Sequence, residues 1–421
     1  MSEAAKLSLS AKGPQNRHFN PDDDTGSPFN QDSVRFSKFR KFHKTDFIVP
    51  NTTDERWPFG RSVKIQYYPR SMGDLLTNMW IYIKKPEHNS GQEVRQYAGN
   101  GMIKSVSMYV DDQLIEKITD EWEYIYDNII SSRPEKDANY MLQKPNTLSL
   151  ASTFIIPVHF FFSRSSLGKK NPPFPLCSIH NQKLEFEIEF FRQEEWESNP
   201  VDFYGLDKIG IITEQIKLTN EERLYWLRNH ISQNILLVKK HTTYPTPYSD
   251  GGININLECE GKVVTLYWYF MDKSYIGPLK HNSTFIRNKV VGTNYISFSH
   301  TPILDKCTFT IENNQFPRTV LNESSQLRFF PDPMNTTNGS TVSRNLHAVY
   351  SYSFALDPHS LLETGHLNFK DIQSKHTNMN ITFIPGIVDW QNGSVGDISM
   401  NMYYTIRAQL DFSNGYVSLR Y

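Results

Sequence analysis

The clearest strand in the sequence reads KLEFEIEFF, from Lys183 to Phe191. Its apolar residues alternate one by one with lysine and glutamate residues. Successive side chains of a β-strand point to opposite faces, so this alternation predicts a strand with one buried side and one solvent-facing side. This stretch is the starting point for an all-β interpretation of the chain.

Short apolar runs with the same period-two character, separated by turn residues, recur on both sides of this strand. They include SVKIQYYP (62–69), MIKSVSMYVDD (102–112), KVVTLYWYF (262–270) and SMNMYYTIRAQLDF (399–412). Many short strands at regular spacing are typical of β-sandwiches and barrels. We therefore predict two β-modules, residues 45–220 and 233–421.

Two segments have helical periodicity instead. Asp120 to Ile130 places apolar residues at helical spacing, with Asp120 as the expected N-cap. Thr219 to His230 opens with a capping-box pattern, in which Glu222 stands three residues after Thr219. We assign residues 221–232 to a helix that links the two modules.

Length, charge and cysteine content exclude several classes of protein. The chain has 421 residues, a formal net charge of −1 and three cysteines. It is not a polycation, and three scattered cysteines neither form a disulfide scaffold nor a zinc cluster. The longest apolar run, Thr153 to Phe162, is broken by Pro157 and His159 and is far shorter than the ~20 residues of a membrane-spanning helix. We expect neither a secretory signal nor a membrane span.

The N-terminal arm, residues 1–44, is expected to be flexible and to end in a basic, aromatic segment. RFSKFRKFHK (35–44) interleaves five Lys/Arg with three phenylalanines, which would share one face of a helix. Such a segment fits a protein partner, an anionic membrane surface or nucleic acid, and we favour protein docking. The predicted contact residues are Arg35, Phe36, Lys38, Phe39, Arg40, Lys41, Phe42 and Lys44.

The search for catalytic chemistry yields two weak candidates. Glu185, Glu187 and Glu189 form a carboxylate row that a glycosidase would need, but the solvent side of a strand explains it more simply. Cys177 and His180 are a conceivable nucleophile pair, although a buried structural thiol is the simpler interpretation. With no nucleotide, hydrolase or metal motif in the sequence, we assign no catalytic, cofactor-binding or metal-binding residues.

Asn-x-Ser/Thr triplets suggest glycosylation sites in the second module, although they also arise by chance in a chain rich in Asn and Thr. The candidates are Asn282, Asn322, Asn335, Asn338, Asn380 and Asn392.

Several segments, in order, resemble the major capsid proteins of nucleocytoplasmic large DNA viruses. They are FGRSVKIQYYPRSMGDLLTNMWIYIKKP (59–86), IKSVSMYVDDQLIEKITDEWEYIYDNI (103–129), STFIIPVHFFFSRS (152–165), PFPLCSIHNQKLEFEIEF (173–190), TEQIKLTNEERLYWLRNH (213–230), AVYSYSFALDPHSLLETGHLNFKDIQSKHTNMNI (348–381) and MNMYYTIRAQLDFSNGYVSLRY (400–421). The resemblance covers roughly residues 36–421.

The resemblance implies a fold and a function. The fold would be two consecutive eight-stranded jelly-roll β-sandwiches, a double jelly roll, with a few short helices. Three chains would form a pseudo-hexagonal capsomer of an icosahedral shell around a large double-stranded DNA virus, assembled in the infected cell's cytoplasm. No enzymatic activity is expected.

The partners implied are neighbouring capsomers, minor capsid proteins and the internal viral membrane, with no sequence-specific nucleic-acid binding. Two alternatives remain open at this point. One is a transient double jelly-roll scaffold on the viral membrane, and the other is a carbohydrate-binding β-sandwich.

Overall fold

The structure is a computed structural model. It describes residues 38–48, 60–67, 73–87, 99–126, 130–131, 135, 138, 142, 152–166, 169–196, 205–241, 244–245, 253–272, 288–289, 298–299, 304–311, 314–316, 350–370, 377–383 and 398–421. The chain divides into two units, residues 1–39 and 40–421, and all strands described below belong to the second.

The first half of the chain forms two four-stranded antiparallel sheets. Their orders are β1-β10-β3-β6 and β2-β9-β4-β5, and β7 pairs with β8 in a short hairpin. The strands are β1 (Arg40–Phe47), β2 (Ser62–Tyr67), β3 (Leu75–Lys85), β4 (Ile103–Val110), β5 (Gln113–Thr119), β6 (Ser152–Pro157), β7 (Ser165–Ser166), β8 (Lys169–Lys170), β9 (Leu184–Phe190) and β10 (Lys208–Lys217).

The second half repeats this arrangement. The main path of one sheet runs β11-β22-β14-β19, with β12, β20 and β23 at its margins, and the other sheet runs β13-β21-β17-β18. The strands are β11 (Ile231–Lys240), β12 (Tyr244–Pro245), β13 (Ile253–Asn256), β14 (Lys262–Asp272), β15 (Asn288–Lys289), β16 (Phe298–Ser299), β17 (Leu304–Ile311), β18 (Asn314–Phe316), β19 (Tyr350–Ser353), β20 (Leu367–Asn368), β21 (Thr377–Phe383), β22 (Ile398–Ser413) and β23 (Tyr416–Arg420).

The two halves are topologically equivalent. If the eight main strands of each half are numbered along the chain, both halves have the sheet orders 1-8-3-6 and 2-7-4-5. Thus β1 corresponds to β11, β3 to β14, β10 to β22 and β5 to β18. Two four-stranded sheets in this Greek-key order make a jelly roll, so the predicted double jelly roll is confirmed.

The core follows the alternation in the sequence. Leu184, Phe186, Ile188 and Phe190 of β9 are buried, whereas the glutamates between them are half-exposed. Buried residues of both rolls belong to one continuous apolar cluster. The prediction for KLEFEIEFF is therefore confirmed, and the two rolls share a core instead of being joined only by a linker.

The helices are short, and caps position them. The α-helices are α1 (Asp120–Ile125), α2 (Gln193–Trp196) and α3 (Asn220–Arg228), and the 3₁₀ helices are η1 (Asn100–Met102) and η2 (Leu176–Ile179). Thr219 caps α3, as the sequence predicts. For α1 the predicted cap is wrong by one residue, because Thr119, and not Asp120, accepts the hydrogen bond from the Trp122 amide.

The N-terminal arm requires a correction. Arg40, Lys41, Phe42 and Lys44 belong to β1, which pairs with β10 along its whole length, so this part is neither an arm nor a helix. Cross-strand hydrogen bonding to β10 stabilises this segment as a strand, although the spacing of the phenylalanines suits a helix. Lys38 and Phe39 are exposed and outside any helix or strand, whereas Arg35 and Phe36 lie outside the described residues.

Candidate assembly surfaces

The outer face of the second roll's β11-β22-β14-β19 sheet is buried against the first roll. We call this surface the covered face and define it as Tyr267, Tyr269 and Tyr403, each at most 1% exposed. Tyr267 lies directly opposite Tyr403 in the sheet. Outer sheet faces normally meet solvent, so burial here means that another element covers them.

Trp122 of α1 packs on the covered face. Its ring lies 5.4 Å from that of Tyr267, edge to face, and 5.9 Å from that of Tyr403. The indole is 1% exposed. Because α1 follows β5 directly, Trp122 lies at the end of a strand of the first roll and contacts the second roll. It is the apolar anchor between the rolls.

A chain of hydroxyl and carboxylate groups borders this anchor. The Tyr403 hydroxyl donates to the Glu121 carboxylate, and the Thr119 hydroxyl lies 2.8 Å from the Tyr403 oxygen, so it donates to that oxygen. Lys240 Nζ lies 2.7 Å from Glu121 Oε2. Burial raises the pKa of Tyr403 well above its ordinary value, which keeps the phenol protonated as the donor.

A buried ion pair completes the contact between the rolls. Glu116 of β5 accepts from Arg164 Nη2 at 2.6 Å and from the Val238 amide at 2.9 Å, while Arg164 Nη1 donates to the Leu236 carbonyl at 2.9 Å. Leu236 and Val238 lie on β11, an edge strand. The ion pair therefore hydrogen-bonds to backbone groups on the outer edge of β11. A further strand that extended the sheet would otherwise pair with these groups.

The electrostatics of Glu116 reflect this position. Burial raises the pKa of its carboxyl, and Arg164 together with the amides of Val238 and Phe161 opposes that shift. The carboxylate needs these donors because a charge buried without partners is strongly destabilising.

His159 holds the loop that carries Arg164. Its backbone amide and Nδ1 lie 2.8 and 2.5 Å from the two carboxylate oxygens of Glu123, and its ring stacks on Tyr126 at 4.2 Å. Arg164 Nε donates to the His159 carbonyl at 2.9 Å. The loop is thus tied to the segment around α1, which fixes the guanidinium for its contact with the second roll.

The equivalent outer face of the first roll remains partly exposed. We call it the open face and define it as Phe47, Trp80, Tyr82, Ile155 and Ile212. Phe47 is 53% exposed, and the other four are half-buried. Trp80 lies opposite Ile212, and Tyr82 lies opposite Ile155, so the apolar side chains are contiguous across the sheet.

Gly210 makes room for one edge of the open face. A Cβ atom at this position would lie 2.9 Å from Cδ1 of Phe47 and 3.1 Å from the Asp46 carbonyl oxygen. Because glycine has no Cβ atom, the Phe47 ring can pack edge-on against Tyr82, with the ring centres 5.5 Å apart. The glycine therefore lets an aromatic pair form on an outer surface.

Charged and polar residues surround the open face. Lys208 Nζ lies 5.5 Å from the centre of the Phe47 ring. Glu214 is 2.6 Å from Lys41 Nζ and accepts from Asn78 Nδ2 at 2.9 Å. An apolar, aromatic centre with a polar rim is the usual anatomy of a protein–protein interface.

Of the residues predicted for the arm, the structure brings Lys41 to the rim of the open face. Lys44 is used within the roll, because its ammonium lies 3.1 Å from Asp46 and 5.7 Å from the centre of the Tyr67 ring. Phe42 is half-buried. The segment from Arg40 to Lys44 therefore contributes mainly to the first roll itself.

The carboxylate row on β9 is an ion-paired surface. Lys64 lies 3.4 Å from Glu185, Lys104 lies 2.6 Å from Glu189, and Glu187 accepts from a tyrosine hydroxyl at 3.3 Å. The hydrogen bond from Lys104 lowers the pKa of Glu189, whereas a glycosidase acid needs a raised one. This supports the solvent-face interpretation over carbohydrate chemistry.

Cys177 fits the interpretation as a structural thiol. It lies buried in η2, and burial raises its pKa to about 11, so the thiol stays protonated at neutral pH. Among the described residues, no group of three or more His, Cys, Asp or Glu is placed to hold a metal ion. No helix in the described ranges is long and apolar enough to cross a membrane.

One glycosylation candidate can be located. Asn380 is an exposed residue of β21, between β13 and β17. The other five, Asn282, Asn322, Asn335, Asn338 and Asn392, lie outside the described residues, and glycosylation stays a prediction at all six.

The residues that join the rolls were not predicted from the sequence; they are Glu116, Trp122, His159 and Arg164. One signal was present: His159 interrupts an apolar run, and Arg164 follows it closely. Charged residues beside a buried run need partners, but their sequence position does not identify them.

Comparisons with known proteins agree with this architecture. Residues 39–217 match the family described as "Major capsid protein N-terminus". A curated major capsid protein of Pyramimonas orientalis virus is 22% identical over 167 residues, a match that covers 36% of this chain and 39% of the relative's length.

The solved structures show the same fold over nearly the whole chain. The PBCV-1 virus capsid structure superposes with a TM-score of 0.73 at 16% identity, covering 93% of this chain and 99% of that one. The Faustovirus major capsid protein gives a TM-score of 0.64 at 10% identity, covering 92% and 93%. The chain therefore has the double jelly-roll fold of these capsid proteins, and its first roll is similar to the N-terminal part of the major capsid protein family.

Proposed function

We propose that this chain is a structural protein of a viral capsid and that three copies form a capsomer with a six-fold outline. The observation that carries the proposal is the presence of two topologically equivalent jelly rolls in one chain, packed through a buried contact. Three such chains supply six similar rolls, enough for a closed pseudo-hexagonal ring.

The physical properties of the chain support a role as a shell component. A net charge of −1 allows many copies to pack closely without strong self-repulsion. Ion-paired carboxylates and a protonated thiol favour a structural role over a catalytic one. The resulting location is the capsid of the virion, where weak contacts between capsomers gain strength through multiplicity.

Native mass measured by light scattering after size exclusion tests this proposal. We expect a species of about 147 kDa, three chains of 49.0 kDa each. A monomer at every concentration would overturn the trimer. Detection of the chain in purified mature particles separates a shell protein from a scaffold that is shed.

We also propose that the N-terminal arm, redefined here as residues 1–39, docks on a neighbouring subunit, a minor capsid protein or the internal viral membrane. The redefinition keeps β1 intact, because the strand begins at Arg40. Deletion of residues 1–39 should leave folded capsomers and impair shell assembly. A matched variant replaces only Arg35 and Lys38 by serine, and normal shells from both variants would overturn the proposal.

A further inference from the structure

The two rolls carry different side chains on the outer faces of two equivalent sheets. In the first roll, the outer face of the β2-β9-β4-β5 sheet holds the carboxylate row of β9 and the lysines paired with it. The equivalent sheet of the second roll is β13-β21-β17-β18. Its outer face carries asparagine and threonine on three neighbouring strands. We call this surface the amide face and define it as Asn254, Asn256, Thr308, Thr310, Asn378 and Asn380.

Strand alternation places these six side chains together on the outside of the second roll. The residues between them along the strands, such as Ile255, Phe309 and Met379, are buried in the core. The cross-strand register aligns the six in two rows, with Asn254, Asn380 and Thr308 in one row and Asn256, Asn378 and Thr310 in the other. Asn254 and Asn380 are exposed. The two rows therefore form a regular, uncharged patch that solvent reaches.

We infer that the amide face is a contact between capsomers and that its occupant is the amide face of a second copy of this chain. This inference rests on the proposed function, because a shell brings many capsomers side by side. It names one surface through which they adhere.

The hydrogen-bonding groups of the amide face are complementary to themselves. An asparagine side chain has two N–H donors and a carbonyl acceptor, and a threonine hydroxyl both donates and accepts. When two amide faces meet, donors and acceptors are available on both sides. This suits an isologous contact, in which the same surface is used by both copies.

One acceptor on the amide face lacks a donor within the described part of the chain. Oδ1 of Asn256 is buried and accepts no hydrogen bond from any described residue, whereas its Nδ2 donates to Glu258 at 3.2 Å. A buried carbonyl oxygen without a donor is destabilising. A donor from a second copy would satisfy this oxygen after a small rotation of the side chain.

The lack of charge makes the amide face easier to cover than its counterpart in the first roll. There the side chains of Lys64, Lys104 and Lys117 are 57%, 53% and 47% exposed. Covering that face would remove water from three ammonium groups, whereas covering the two rows removes water only from neutral groups. Charged residues are depleted at the centres of protein interfaces, so the amide face is the better docking surface of the two.

A neutral glycan is the other ligand that a row of amides and hydroxyls could bind. None of the six side chains is aromatic, so they offer no ring on which a sugar could stack. Small-molecule sites are concave, whereas these side chains project from neighbouring strands of one sheet. A second copy of the same surface is therefore the better match.

The test places a charge on the amide face. Asn254→Lys puts an ammonium at an exposed position of β13, where it stays hydrated in the free capsomer and loses water when a second amide face covers it. The matched control is Gln66→Lys, which adds the same charge at an exposed position of β2, the strand equivalent to β13. A second variant, Asn380→Ala, removes an amide without adding charge.

Analytical ultracentrifugation at rising protein concentration measures both steps of association. We expect all four proteins to form trimers of about 147 kDa, three chains of 49.0 kDa each. Wild-type and Gln66→Lys trimers should associate further into larger species. Asn254→Lys should weaken this second step about tenfold, and Asn380→Ala should weaken it less. Asn380→Ala keeps the test valid if circular dichroism shows that Asn254→Lys fails to fold.

The outcomes separate the two proposals. A wild type that is always monomeric overturns the trimer itself. Trimers whose further association is the same in the wild type and in both amide-face variants overturn this inference and leave the proposed function standing. Wild-type trimers that stay separate at every concentration have the same consequence. If the variants lose binding to a neutral polysaccharide such as dextran while their association is unchanged, the amide face is a glycan site, which also overturns the inference.

Discussion

The covered face and the open face occupy equivalent sheets, carry similar residue types and differ in exposure. Tyr267, Tyr269 and Tyr403 are at most 1% exposed, whereas Trp80 and Tyr82 at the equivalent sheet are half-buried. The difference arises from what the chain places above each sheet. Aromatic residues in a strand therefore do not show that the side chains point into the interior of a roll. Aromatic residues on an outer face are buried only where another part of the same chain packs on that face.

The comparison also separates stability from assembly. A side chain in the covered face contributes to the free energy of unfolding of one chain, because its partner is in the same chain. A side chain in the open face is partly in solvent, so it contributes less to that free energy. The four predictions that follow test this division, beginning with the largest expected effect.

Trp122→Ala should lower the free energy of unfolding by about 4 kcal/mol, because it removes a fully buried indole and leaves a cavity against Tyr267. Trp80→Ala should lower it by roughly 1 kcal/mol, because the indole is half-exposed in the free chain. Urea denaturation of the two variants and the wild type measures both losses. Equal losses would contradict the division between the two faces.

Arg164→Met should lower the free energy of unfolding by about 3 kcal/mol, because Glu116 stays buried without its cation. The loss is at the lower end for broken buried ion pairs, since the amides of Val238 and Phe161 still donate to the carboxylate. The double variant Glu116→Leu/Arg164→Met should recover at least half of the loss. If the double variant is less stable than Arg164→Met, the buried charge is not the cause.

Gly210→Ala should destabilise the chain by about 1–2 kcal/mol, because the new methyl group overlaps Phe47 and approaches the Asp46 carbonyl. The displaced strand is β1, at the edge of the open face, so the aromatic pair of Phe47 and Tyr82 should be disturbed as well. Thermal unfolding measures the loss of stability. Adding Phe47→Ala should restore part of the stability, and no restoration would point to the Asp46 contact instead.

The smallest effect concerns pH. The hydrogen bond from Lys104 places the folded-state pKa of Glu189 below its ordinary value, so its stabilising contribution is present above about pH 4.5 and is lost as pH falls through the folded value. The pair is largely solvent-exposed, so the contribution is a few tenths of a kcal/mol. Between pH 7 and pH 3, Lys104→Met should lose slightly less stability than the wild type. An identical pH profile would show that the pair contributes nothing.

Much of the fold could be predicted from sequence because both sheets follow local rules. Alternation in β9 predicted which side chains are buried, and the capping box at Thr219 predicted where α3 begins. The arm was mispredicted where a local pattern competed with a distant partner. The phenylalanine spacing around Phe42 suits a helix, but β10, more than 160 residues away along the chain, pairs with this segment as a strand.

The covered face and the open face could not be predicted from local sequence patterns. Trp80 stands in an apolar stretch and Trp122 stands between two glutamates, yet Trp122 is the buried residue that anchors the two rolls and Trp80 is partly exposed. The resemblance to capsid proteins implied a trimer, but not which sheet takes part. Which outer sheet is covered within the chain became clear only from the equivalence of the two rolls in three dimensions.

By itself, the sequence determined the all-β class, the cap of α3 and the resemblance to capsid proteins, because alternation, caps and ordered motifs are properties of neighbouring residues. Only the tertiary structure decided that Glu116 and Arg164 hold the rolls together and that one outer face is covered and the other open. The physical reason is that burial depends on which distant elements meet. Trp122 is fully buried although two glutamates flank it in the sequence, and Trp80 is only half-buried although apolar residues flank it, because different distant elements lie above them.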